Sequence, residues 1–278
     1  MPSFITYPDM ASQFRKTGEW RKFYLDLLKA KNTKVPKDRP VSEFRWWEAG
    51  RPYYNCYPGV VPMLTKLRLD IPMSSIHIPH RSFLVRLRED DCSLTVGNGL
   101  YTQTMLFSEL IATDGTKFWS LMITLIGEGG VKDSELFVSM YKVQPDTNID
   151  DIQKLVVSEL RDDLDPVGLT NCLKLVCTIC LLGTDSEMLE RDVLAADRRA
   201  YDTGNEQQRT AIESRANRRG KNGFTIGRIL ETNPHWRNPH PCLVHTGEGG
   251  KIPKVIIRKG CIVNREVATK VPSDYLGN

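Results

Sequence analysis

The sequence has no apolar run approaching the ~20 residues that span a bilayer, and Met1 to Met10 lacks the basic start and apolar core of a signal peptide. Both absences predict a protein that stays in the compartment where it is made, the cytoplasm, without a membrane partner. A disulfide framework is missing as well. The seven cysteines are an odd number, and Cys172, Cys177, Cys180 and Cys261 stand in apolar surroundings, which predicts free thiols in a reducing cytosol. Charge of one sign is scarce: 38 Lys and Arg against 34 Asp and Glu leave a net charge of +4 and a pI of about 8.6. That is short of the pI above 9 that marks an obvious nucleic-acid-binding domain, so the distribution of charge has to decide. No repeat or low-complexity tract appears, and 40% hydrophobic with 26% charged residues is an ordinary globular composition.

Hydrophobic periodicity organises the chain into four stretches. Residues 1–61 hold an expected amphipathic helix over Ser12–Lys31, then a connection, Asn32–Val61, studded with prolines at 36, 40, 52 and 58. Its Trp46, Trp47, Tyr53, Tyr54 and Tyr57 read as anchors pinning a long loop onto the core, or as a patch that binds a protein partner. Residues 62–190 should form an antiparallel sheet and a helix pair. Apolar runs at Phe83–Leu87, Leu100–Phe107, Phe118–Ile126 and Leu136–Val143 are separated by turn signals at Gly97–Gly99, Asp114–Gly115 and Gly127–Gly130. The helices are expected at Asp150–Leu164 and Thr170–Leu182, split by Asp165-Pro166. Residues 191–221 are charged and poor in large apolar side chains, an exposed helix or linker, and residues 222–278 form a basic, strand-rich C-terminal region that can pack on the same domain. Strands are expected there at Phe224–Leu230, Val255–Ile257 and Cys261–Val263. The fold class predicted is α+β.

Chemistry concentrates in the loop Asn233–His245, where His235, His240 and His245 are five apart, Arg237 lies between the first two, and prolines stand at 234, 239 and 241. The prolines exclude the helical turn on which a His-x(3–5)-His zinc site depends, so no metal and no cofactor are expected. Two histidines beside an arginine can act as acid, base and phosphate clamp, which makes His235, His240 and Arg237 candidates for a ribonuclease. The same segment can instead be a structured binding loop. Its surroundings favour an anionic ligand: Arg215–Lys259 carries Lys or Arg at 215, 218, 219, 221, 228, 237, 251, 254, 258 and 259 against only Glu231 and Glu248. Arg218, Arg219, Lys221, Arg237, Lys254, Arg258 and Lys259 could contact phosphates, and Trp236 could stack on an unpaired base, so looped or single-stranded RNA is the expected partner, with an acidic protein surface as the alternative.

Other motifs read as structure. Cys172-x4-Cys177-x2-Cys180 matches an iron–sulfur spacing, but its intervening residues are a helical apolar run, so buried core is expected. The two Gly-Glu-Gly-Gly segments lack the lysine spacing of a phosphate loop and read as turns. Asp162, Asp163 and Asp165 read as a solvated helix end.

Pro234-His235-Trp236-Arg237-Asn238-Pro239-His240, followed by the basic strand Lys254–Lys259 and Ile262-Val263-Asn264, resembles an anti-CRISPR family of phages and mobile elements directed at type V-A systems. The resemblance implies bacteriophage origin, evasion of host defence in the bacterial cytoplasm, and suppression of effector-nuclease production through the effector's transcript or its translation complex. Together with the local basic charge, the expected reading is a non-enzymatic factor in which His235 and His240 orient the loop by hydrogen bonds.

Overall fold

In the computed structural model, the described residues are 7, 22, 38–89, 91–97, 99–112, 114–127, 130–151, 164–182, 188–227, 240–247, 249 and 252–258. The Ser12–Lys31 helix, residues 152–163 of the Asp150–Leu164 helix and the Cys261–Val263 strand lie outside them, although Lys22 is helical, and Leu164 is not helical but bridges to Gly97.

The fold is α+β, built on an eight-stranded sheet: β1 (Tyr53–Cys56), β2 (Ser82–Leu87), β3 (Thr95–Gly97), β4 (Leu100–Ile111), β5 (Lys117–Gly127), β6 (Gly130–Lys142), β7 (Leu189–Arg191) and β8 (Gly223–Ile226). The order is β6-β5-β4-β2-β1-β8-β7, with β3 paired to β4. The expected runs 83–87, 100–107, 118–126 and 136–143 fall in strands β2, β4, β5 and β6, the last running one residue past the end of β6 at Lys142. The sheet is mixed, however. β1 runs parallel to both β2 and β8, and the remaining pairs are antiparallel.

β1 overturns the reading of Asn32–Val61 as an irregular connection. Tyr53-Tyr54-Asn55-Cys56 is buried at every position, so it shows no polar alternation, as expected for a parallel strand covered on both faces. The segment also holds helix α1 (Asp38–Glu48). Pro40 sits in its first turn, where the missing N–H has no helical partner to lose.

Alternation along the strands gives two cores. One face carries Phe83, Val85, Met105, Phe107, Leu121 and Ile123 and receives α2 (Val60–Thr65) and α3 (Pro166–Leu182). α3 begins four residues before the expected start. Pro166 opens the helix, and the Asp165 carboxylate caps it by accepting from the N–H groups of Val167 (3.0 Å) and Gly168 (3.2 Å). The helix is apolar on nearly all sides because the hairpin of β9 (His240–Thr246) and β10 (Ile252–Arg258) covers it from outside through Val255. Cys172, Cys177 and Cys180 are free, buried residues of α3, and burial pushes the Cys172 thiol up to about 12.

The opposite face carries Tyr53, Leu84, Leu106 and Met122 under Tyr7 and Trp46 of α1. Polar residues share this face in bonded pairs: Ser82 with Ser108 (2.7 Å) and Thr104 with Thr124 (2.7 Å). Trp46, Tyr53 and Tyr54 are thus core residues, 3–5% exposed, and not an exposed partner patch. Trp46 donates its indole N–H to the Pro52 carbonyl at 2.9 Å, which pins the turn into β1.

A candidate nucleic-acid interface

The charged stretch 191–221 forms two helices, α4 (Arg198–Thr203) and α5 (Glu206–Arg218). α5 starts at a full capping box: the Asn205 side chain accepts from the Gln208 N–H (3.0 Å), and the Gln208 side chain accepts from the Asn205 N–H (3.0 Å). Only Ile212 and Ala216 of α5 are buried. Its other end is a glycine-capped turn. The Lys221 N–H donates to the Ala216 carbonyl and the Gly220 N–H to Asn217, both at 2.9 Å, with Gly220 at φ +77°. Gly220→Ala is expected to cost about 1–2 kcal/mol, since an L residue is disfavoured in that conformation; urea unfolding measures it, and unchanged stability would contradict the cap.

This cap delivers cations to a helix C-terminus, where the macrodipole favours them. They are not equivalent. Arg215 pairs with Asp197 at 3.1 Å, and Lys221 pairs with Asp192 at 3.4 Å. Arg218 and Arg219 are exposed and have no carboxylate partner among the described residues, so their guanidinium forks are free for phosphate or carboxylate oxygens. Arg191, at the sheet edge, bonds Asn217 (2.7 Å), Asn222 (3.3 Å) and the Gly223 carbonyl (3.3 Å), which ties the end of α5 to β8.

The sequence-predicted site divides between two places. Lys254, Arg258 and His240 belong to the β9–β10 hairpin over α3, where Arg258 is paired with His240 and Lys254 with Val244 in the backbone register. Arg218, Arg219 and Lys221 end α5 near the other face of the sheet, since Lys221 shares Asp192 with Tyr53, whose hydroxyl donates to it at 2.5 Å. His235, Trp236, Arg237 and Lys259 lie outside the described residues.

The loop predicted over Asn233–His245 is shorter than expected, because a strand begins at His240 and includes Pro241. Pro241 pairs with Ile257, and Pro253 with His245. Their two ladder pairs lie four residues apart along the ribbon and so share one parity, and a proline fits an antiparallel ladder only at a pair that exchanges no N–H···O bonds. The two Gly-Glu-Gly-Gly segments connect antiparallel neighbours, β5 to β6 and β9 to β10, as turns should. Gly247 and Gly249 take the positive φ of 78° and 69° that the second turn requires. Among the described residues, no helix is long and apolar enough to cross a membrane.

No family model matches the chain, and no curated protein matches it by sequence. A crystal structure of AcrVA2, a type V-A anti-CRISPR protein, has the same overall fold with a TM-score of 0.50 at 11% identity, covering 89% of this chain and 94% of that one. At that identity the likeness is one of fold.

Proposed function

We propose that this chain is a counter-defence protein of the anti-CRISPR kind, a non-enzymatic binder that lowers production of a CRISPR effector nuclease by engaging the effector's transcript or the complex that translates it. The observation that carries the proposal is the fold likeness to AcrVA2, which extends over nearly the whole of both chains. It agrees with the family resemblance of the segment 234–240 and the basic strand after it.

RNA is the favoured ligand on physical grounds. Arg218 and Arg219 offer two uncompensated guanidinium groups on one exposed helix end. Lys254, Arg258 and Lys259 extend the basic sequence along and beyond β10, and Trp236 with Arg237 adds a stacking and phosphate-binding pair. Phosphate contacts release counterions, so affinity should fall steeply as salt rises.

The test is anisotropy of labelled effector transcript titrated with the purified protein at several salt concentrations. The expected result is binding whose logarithm falls linearly with that of salt. Absence of binding to any transcript would remove the RNA reading and leave an acidic protein surface as the partner. Cleavage that disappears in His240→Ala while binding persists would convert the binder into a ribonuclease using His235, His240 and Arg237.

A further inference from the structure

Beside the end of α5, the polar face of the sheet encloses a cavity of about 180 Å³. Tyr53 and Leu84 form its floor, Tyr7, Trp46 and Gly220 its walls, and Arg51 and Arg86 supply its charge. Arg86 is the odd residue of Phe83-Leu-Val-Arg-Leu87, an otherwise apolar run in a central strand. Its guanidinium lies over the Tyr53 ring at 4.0 Å, and its buried Nε has no hydrogen-bond partner.

Arg51 is held there at a conformational cost. Its φ of +57° is the only positive value among the described non-glycine residues. The guanidinium packs over Trp47 at 4.5 Å and over Gly220, where an added Cβ would come within 2.8 Å of Nη2. Neither arginine has an ion-pair partner among the described residues. The carboxylate of Asp192 is engaged by Tyr53 and Lys221, and Glu43 accepts from the Tyr7 hydroxyl at 3.1 Å. Arg86 feels burial first, then attraction from Tyr53 and Asp192 and repulsion from Arg51. Two like charges gathered with no ion-pair partner of their own among the described residues, and only the shared Asp192 carboxylate nearby, one of them on a strained backbone, weaken the fold, and such costs concentrate at binding sites.

We propose that this cavity binds a phosphate monoester through Arg51 and Arg86. A dianion matches two guanidinium groups, each of which can bond two of its oxygens, whereas one carboxylate leaves a charge unmatched. The volume is below the roughly 300–1,000 Å³ of pockets that enclose whole small molecules, so the cavity takes the phosphate end of a larger ligand. Two sources present that chemistry, a free nucleotide and the 5′-phosphate of an RNA strand. The strand end depends on the RNA reading above, with Arg219 and Arg218 one and two residues before Gly220 to guide the following phosphates. The free nucleotide does not depend on it.

Calorimetry on the full chain separates the sources, with AMP against adenosine, and 5′-phosphorylated against 5′-hydroxyl RNA of one sequence. The phosphorylated member of at least one pair should bind at least tenfold tighter, and Arg86→Met should erase that difference while the protein stays folded, since an apolar side chain of similar length replaces a largely buried charge that has no ion-pair partner among the described residues. If Arg86→Met fails to fold, Arg51→Met reads the same difference. A preference seen only with AMP assigns a free nucleotide, and one seen only with RNA assigns the strand end. Equal binding within both pairs overturns the proposal, even when both RNAs bind and the RNA reading survives. A preference that persists in the folded variant, or glutamate binding as tightly as AMP, also overturns it.

Discussion

Replacing Arg218 and Arg219 together by glutamine is expected to weaken binding of effector transcript by about tenfold at physiological salt, because each is a charge-assisted donor with no competing carboxylate among the described residues. The slope of log affinity against log salt should become shallower by about 1.4, the loss of two phosphate contacts to a single strand. Both side chains are exposed, so the variant should remain folded, with at most about 1 kcal/mol lost per charge from the helix end. Arg215→Gln is the internal comparison. Its guanidinium is already held by Asp197, so its removal should flatten the slope less. Equal effects from Arg215 and from the Arg218/Arg219 pair would show that α5 acts through bulk charge instead of through particular free groups.

The second large effect concerns the scaffold that holds α5 and the hairpin in place. Phe107 is 1% exposed at the middle of β4, with ring centroids 5.2 Å from Phe83 and 5.9 Å from Trp119. Phe107→Ala should cost about 3–5 kcal/mol, through lost burial and the cavity left behind. That is a large fraction of the roughly 5–15 kcal/mol by which a domain is stable. Ile111, at the end of the same strand and 46% exposed, should change stability by less than about 0.5 kcal/mol on replacement by alanine. Urea midpoints of the two variants measure the contrast, and similar midpoints would contradict the placement of β4 at the centre of the core.

How far the chain could be read in advance depended on the kind of signal. β4, β5 and β6 are long antiparallel strands separated by Gly and Asp turns, and such turns are local chemistry, legible in a few residues. β1 has no such mark. Four buried residues in parallel pairing look the same as a fragment of aromatic loop, and their partners in β8 stand some 170 residues away in sequence. A proline marks a boundary in sequence without saying which side of it is helical: Pro40 and Pro166 each stand in the first turn of a helix, where proline is accommodated. Pro241 carries the related lesson for a strand: its effect depends on ladder parity, which only the register reveals.

The candidate site shows the same division. The basic character of 215–259 is plain in the sequence, but which cations are free is not, because Arg215 and Lys221 are neutralised by acids 18 and 29 residues earlier. Gly220 after two arginines was a readable helix stop. Nothing local in the sequence brings Arg51 and Arg86, 35 residues apart, to one cavity; the one cue is an arginine inside an apolar run.

The central claim is that the chain reduces the supply of a CRISPR effector. It is tested most directly in a bacterium carrying an active type V-A system, by measuring effector transcript and effector protein with and without expression of this chain. The account predicts a fall in effector protein in cells that produce the wild-type chain, and a weaker fall with the Arg218/Arg219 glutamine variant made in equal amount. Unchanged effector protein in cells that accumulate the folded chain would contradict it.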